Sequence, residues 1–207
     1  LSAKPSVMKS PVAAMPEAIT SAANAEVKRL RSLHERKYRR QTGWFLAEGT
    51  RTCTEAVALG WALHRLAFLA GREKDKHVIA LLEALGEAGG RALPMTESLL
   101  RRISRKDNAQ IVLGAFAQRH ISLTEIHPDP SEIWVALDRV RDPGNLGTIM
   151  RTIDATGAQG VILIDECTDA YSVEAVRASM GAVFNISIAI CSKPEFLVFA
   201  RQWPGRI

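Results

Sequence analysis

At 207 residues, with 47% apolar and 24% charged side chains, the chain has material for one or two well-cored soluble domains. No apolar run approaches the ~18 residues of a membrane-spanning helix; GVILI and FLVFA are core-sized. The net charge of +5 is unevenly spread: KRLRSLHERKYRR (28–40) holds seven bases and one acid, a local +6 that leaves the remainder near neutral, which suits a polyanionic partner with stackable bases beside Tyr38 and Trp44.

Residues 1–18, rich in Ala, Ser and Pro, read as a flexible leader. Asn24 is a good N-cap for a helix reaching about Tyr38, with Val27, Leu30 and Leu33 on one side. WFLAEG (44–49) is a short strand, 50–59 a helix, LHRLAFLA (63–70) a strand and HVIALLEALGEA a helix closed by Gly89-Gly90. A short extended ALP, helix TESLLRRIS and strand QIVLGAFA (110–117) complete an α/β layer domain over 19–117.

Two prolines and a polar run mark 118–131 as a linker. A second domain, 132–207, then alternates strand EIWVALD (132–138), a helix, strand GVILID (160–165), helix SVEAVRASM (172–180), strand VFNISIAI (183–190) and a helix started by Pro194. Strands so uniformly apolar suit a parallel sheet covered on both faces. The chain stops at RQWPGRI, where the alternation leads one to expect a further strand, so the domain is expected to be only the N-terminal part of a larger one.

The segment with most chemical content is RDPGNLGTIMRTIDATGA (141–158). Asn145 is placed as an N-cap, Leu146, Ile149, Met150 and Ile153 form a core-facing stripe, and Arg151 lies off that stripe. A strand end, a tight turn and a helix N-terminus make an anion-friendly crevice. Neither GxGxxG nor GK[ST] is present, which excludes a dinucleotide fingerprint and a P-loop. By spacing alone the segment is equally a capped helix with an arginine on its surface. The five histidines show no metal-ligand spacing, and the widely separated Cys53, Cys167 and Cys191 suit neither a disulfide framework nor zinc. No metal is expected, and a reducing cytoplasm is.

The literal string goes further. DPGNLGTIMRTIDATGA resembles the first signature of SpoU-type RNA 2′-O-ribose methyltransferases of the SPOUT superfamily, and SVEAVRASMGAVFNISI resembles that family's next recurrent stretch. AANAEVKRLRSLHERKYRRQTGWFLAEGTR is similar to the ribosomal-protein-like α/β RNA-binding domain that these enzymes often carry in front. The similarity covers roughly residues 19 to 207.

This resemblance implies a parallel-sheet domain ending in a trefoil knot that binds S-adenosylmethionine, a homodimer, and methylation of structured RNA, rRNA in preference to tRNA. It implies catalytic roles for Asn145 and Arg151, with Arg151 at the ribose 2′-hydroxyl and a neighbouring phosphate and Asn145 holding the motif loop. It places Lys28, Arg29, Arg31, Arg36, Lys37, Arg39, Arg40 and Glu48 at the RNA, and Arg177 and Ser179 beside substrate or dimer interface. The family's two later signatures, which form the cofactor pocket, do not occur in this sequence and are expected beyond Ile207. The knot and the donor site are thus expected outside this chain, which alone would be inactive. The alternative is a non-catalytic RNA-binding or ribosome-assembly relative, for which the basic helix would suffice. A small-molecule enzyme without RNA is disfavoured by the charge cluster.

Overall fold

A computed structural model describes residues 16–207; the leader expected at the N-terminus lies, up to residue 15, outside the described residues. Two sheets organise the chain. The first takes β1 (Trp44–Glu48), β2 (Leu63–Leu69), β3 (Arg91–Met95) and β4 (Val112–Ala117) in the order β1-β4-β2-β3. It is mixed: β4 runs antiparallel to both β1 and β2, while β2 and β3 are parallel. Pro94 sits within β3, where an edge strand tolerates the missing N–H, so the short extended stretch expected there is a full strand. Ile19 joins the same edge, its N–H donating to the Pro94 carbonyl at 2.8 Å.

The second sheet is all parallel, β5 (Trp134–Asp138), β6 (Gly160–Ile164) and β7 (Ser187–Cys191), in sequence order. Its central strand β6 is buried throughout, whereas β5 and β7 keep exposed positions, among them Ile190. The strand expected from Val183 begins only at Ser187. Gly181, at φ +103°, opens a 3-10 turn over Ala182–Phe184 that folds Phe184 inward.

Around these sheets lie α1 (Ala25–Ser32), α2 (Arg36–Thr42), α3 (Thr50–Ala58), α4 (Lys76–Glu87), α5 (Glu97–Ser104), α6 (Pro143–Ala155), α7 (Val173–Ser179) and α8 (Lys193–Arg201). The single helix expected from Asn24 to Tyr38 is two. Asn24 caps α1 as anticipated, its side chain accepting from the Glu26 N–H at 2.8 Å. The break frees the carbonyls of Leu33 and His34, and Arg39 Nη1 donates to both at 2.8 Å. An unbroken helix would have pointed those carbonyls along its own axis.

The segment 118–131 packs rather than hanging free. Ile121 bridges to Ala189 beside β7, a 3-10 turn over Leu123–Glu125 carries a capping box from Ser122, and Ile126 is buried. The two sheets share one core. Phe45, Trp61 and Phe116 of the first half meet Tyr171 and Phe184 of the second in a cluster of tilted and edge-on rings, a geometry favoured by the ring quadrupoles. Trp61 Nε1 donates to the Phe184 carbonyl at 3.0 Å, and the Tyr171 hydroxyl donates to the Arg119 carbonyl. Every polar atom named in this contact is therefore satisfied, as burial requires.

Candidate active site and RNA-facing helices

The signature segment lies at the carboxyl edge of the parallel sheet. β5 ends on Asp138, Arg139 turns the chain through the left-handed region (φ +55°), and Asp142 then caps α6. Asp142 Oδ1 accepts from the Asn145 N–H at 2.6 Å, with Pro143 in the first turn. The cap is therefore Asp142 and not Asn145, as the spacing had suggested. A carboxylate at the cap gains from the helix dipole, and proline has no N–H to leave unpaired there. Asn145 is left inside the first turn, exposed, its side chain not used in the cap.

Leu146, Met150 and Ile153 are buried as the stripe required, Ile149 is half-buried, and Arg151 is exposed. Gly147 explains how α6 approaches α7: a Cβ there would lie 2.3 Å from the Ala178 Cβ and 2.8 Å from the Ala175 carbonyl oxygen. The helices touch backbone to backbone, next to Asn145.

The surrounding charges are largely committed. Asp138 accepts from Arg139 Nε at 2.8 Å and from Lys193 Nζ at 3.2 Å, and these two cations, Arg139 foremost, hold its carboxyl below the usual carboxylate range. Asp165, which leaves β6 in the same left-handed turn (φ +55°), accepts from the Lys193 N–H at 2.9 Å. Arg141 pairs with Glu166 at 2.8 Å. Among the described residues Arg151 enters no ion pair, so α6 carries one uncommitted guanidinium six residues along from the exposed Asn145.

Several residues expected at the RNA, or beside substrate or dimer interface, are paired within the protein. Arg39 is buried; its Nε donates to Asp169 Oδ2 at 2.9 Å and its Nη2 lies 2.8 Å from the same oxygen. Glu48 has a side chain only 4% exposed and takes a two-pronged pair from Arg177, whose Nε lies at 2.9 Å and whose Nη2 also donates to the Ser104 carbonyl at 2.6 Å. Ser179 is buried, its hydroxyl donating to the Val176 carbonyl at 2.8 Å near the end of α7. Lys28, Arg29, Arg36, Lys37 and Arg40 are exposed along α1 and α2. Arg31 is half-buried, with an Nε that lacks a hydrogen-bond partner among the described residues.

The residues that reasoning from sequence did not single out are Asp169, Arg65 and Arg119. Asp169 lies in a loop with no local sign of its distant partner. Arg65 and Arg119 sit over the rings of Trp44 and Trp61, 4.9 and 4.5 Å from their centroids, and Trp44 also stacks on His64 at 4.7 Å. Trp44 is thus engaged within the protein, whereas Tyr38 stays exposed.

Cys53, Cys167 and Cys191 are buried free thiols; burial pushes Cys53 up to about 12 and Cys191 up to about 11. Among the described residues no group of His, Cys, Asp and Glu is placed to hold a metal ion. A groove of about 640 Å³ lies between α8, β7 and the Ser122–Thr124 turn, and neither Asn145 nor Arg151 lines it.

Known proteins resolve what this geometry belongs to. Residues 132–202 match the SpoU rRNA Methylase family, and residues 24–114 match the MRM3-like substrate binding domain. An rRNA methyltransferase from Sinorhizobium meliloti, solved also with AdoMet bound, is 43% identical; one of its structures superposes with a TM-score of 0.85 over 90% of this chain and 69% of that one. A 23S rRNA (uridine(2479)-2′-O)-methyltransferase from Streptomyces viridochromogenes is 30% identical over 177 residues, and an uncharacterized tRNA/rRNA methyltransferase from Synechocystis is 32% identical over 164. These matches take in 84% and 79% of this chain and span only 61% and 58% of those two relatives. With both halves matched in order, and a 43% identical relative covered over more than two thirds of its length, the chain belongs to the SpoU rRNA Methylase family.

Proposed function

We propose that the protein to which these residues belong transfers a methyl group from S-adenosylmethionine to a ribose 2′-hydroxyl in structured RNA, with rRNA as the substrate. The observation that carries this reading is the juxtaposition at the carboxyl edge of the parallel sheet. There α6 carries an exposed Asn145 in its first turn and an exposed, uncommitted Arg151 six residues further along, and α2, with its exposed Arg36, Lys37 and Arg40, is fastened to the loop leaving β6 through Arg39 and Asp169. The rRNA substrates named for the relatives support the choice of RNA.

S-adenosylmethionine supplies an electrophilic methyl on a sulfonium centre. This chain's part is to hold the ribose so that its 2′-oxygen lines up for displacement, a step in which alignment supplies much of the rate. A guanidinium is a poor base; the role of Arg151 is to orient the ribose and stabilise charge developing on the 2′-oxygen, with a substrate phosphate accepting the proton. Asn145, whose side chain the cap leaves free, positions substrate. Lys28, Arg29, Arg36, Lys37 and Arg40 contact the RNA backbone. The trefoil knot, the donor pocket and the homodimer belong to this proposal through the family resemblance. The cytoplasm belongs to it through three buried free thiols, which suit a reducing compartment.

The test is transfer of labelled methyl to rRNA by the full-length protein, with Arg151→Ala and Asn145→Ala assayed for turnover and RNA affinity separately. Loss of one transition-state donor lowers kcat by about 10²-fold or more, with RNA affinity little changed. A variant of Arg151 that methylates at the parent rate removes it from the mechanism. RNA binding without turnover or donor binding in the parent establishes the non-catalytic alternative.

A further inference from the structure

The family match assigns substrate binding to the first half of the chain, but it does not say how RNA held there reaches the second half in register. α7 supplies an answer. At its start, Asp169 shapes the turn into the helix, accepting from the Tyr171 N–H at 2.9 Å through Oδ1 while its own carbonyl accepts from the N-cap Ser172. Its other carboxylate oxygen holds Arg39, which stands between Lys37 and Arg40 on the basic helix. At its end, Arg177 holds Glu48, the last residue of β1. The turn into this seven-residue helix and its last turn are therefore each fastened to the first domain by an arginine–carboxylate pair with one partner almost wholly buried.

The same helix bears on the signature. Ala175 and Ala178 of α7 close against Gly147, two residues from Asn145 and four from Arg151. An unbroken path of rigid contacts thus runs from α2 through Arg39, Asp169 and α7 to the first turns of α6.

The aromatic cluster of Phe45, Trp61, Phe116, Tyr171 and Phe184 supplies adhesion between the halves and one directional contact, from Trp61 Nε1 to the Phe184 carbonyl, while its hydrophobic burial is non-directional. Arginine–carboxylate pairs do fix direction. We propose that Arg39 and Glu48, through Asp169 and Arg177, are positioning residues for methyl transfer: they lock the RNA-facing helix at one angle to the sheet edge, so that a bound strand presents its ribose to Asn145 and Arg151 in a single register. Arg39 is then a brace behind the RNA surface and not part of it, although it lies within the basic run.

This inference rests on the methyltransferase reading, and two readouts keep the failures apart. In the full-length protein, Arg39→Ala, Glu48→Gln and the charge exchange Arg39→Asp with Asp169→Arg are assayed for kcat, KM and equilibrium RNA affinity. Misplacement on the ångström scale costs about 10²-fold in rate. Both single variants should therefore lose kcat on that scale with RNA affinity held within about threefold, and the exchange should restore a measurable part. Spin labels at Ile79→Cys and Ala155→Cys, one exposed position on each half, report the distance between the domains. The parent should give one narrow distribution and the Arg39→Ala, Glu48→Gln double variant a broad one.

RNA affinity falling in step with kcat for Arg39→Ala would return Arg39 to the RNA surface and overturn the proposal. So would a double variant with an unchanged narrow distance, which also covers a variant that folds but loses activity for another reason. If the parent transfers no methyl group at all, the functional reading fails and the positioning role fails with it; a broadened distance would then still show that these pairs hold the domains together.

Discussion

Replacing Gly147 by alanine sets two physical effects of opposite sign against each other. In a helix interior alanine is favoured over glycine by about 0.8–1.0 kcal/mol. Here the added methyl meets the Ala178 Cβ at 2.3 Å and the Ala175 oxygen and Ala178 carbonyl carbon at 2.8 Å, and backbone atoms cannot rotate away as the end of a flexible side chain does. Overpacking of a close-fitted contact costs about 1–3 kcal/mol. With three neighbours inside contact distance the upper part of that range applies, so the net effect is a loss of about 1–2 kcal/mol after the propensity gain. For a chain of this size that is a fall in Tm of about 2–8 °C, measured by thermal unfolding followed by circular dichroism. Gly86→Ala supplies the matched control: Gly86 lies exposed in α4 with nothing within 4 Å of a built Cβ and an ordinary φ, so the same substitution should stabilise, by up to about 1 kcal/mol. A Gly147→Ala protein as stable as the parent, or one that gains as Gly86→Ala does, would refute the argument that α6 and α7 meet backbone to backbone.

Neutralising Arg36, Lys37 and Arg40 together with glutamine, while leaving Arg39, should reduce the slope of log affinity for RNA against log salt by about 2, from roughly 0.7 per phosphate contact on a single strand; an unchanged slope would make these residues solvated surface. Burial lowers the pKa of His34, His64 and His120 below 6.5, so the unfolded chain takes up protons more readily than the native one. Their contribution is complete above pH 6.5 and drains as pH falls below it, and His120→Gln should therefore flatten the loss of denaturation free energy between about pH 7.5 and 5.5; a variant with the parent's pH dependence would contradict this. Cys53, fully buried with its pKa pushed up to about 12, should resist thiol reagents at pH 8 in the native protein and react once unfolded; prompt native labelling would show that its cover opens.

Much of the fold was readable because local pattern and tertiary context agree. The stripe of Leu146, Met150 and Ile153 is buried where its period put it, and the apolar β6 is buried on both faces. The failures have a common cause, in long-range partners that a local window does not contain. α1 and α2 divide because Arg39 collects the carbonyls of Leu33 and His34 while reaching for Asp169, 130 residues away in sequence. β7 starts late because Phe184 is drawn into rings contributed by β1, β4 and Trp61. Asn145 looked like a cap because asparagine caps well, but Asp142, three residues earlier, takes the position with a full charge. Composition drew attention to a basic run and could not tell which arginine faces inward. The burial of Arg39 among exposed neighbours separates them.

The double fastening of α7 has a consequence for inheritance. A front domain exchanged between relatives would bring its own residues to the positions of Arg39 and Glu48, while Asp169 and Arg177 stayed behind with the other half. A graft that did not carry both partners would leave two partly buried charges unpaired in the seam. The halves of this chain therefore travel as a matched set: a chimera should work only when the residues at all four positions, 39, 48, 169 and 177, come from one parent.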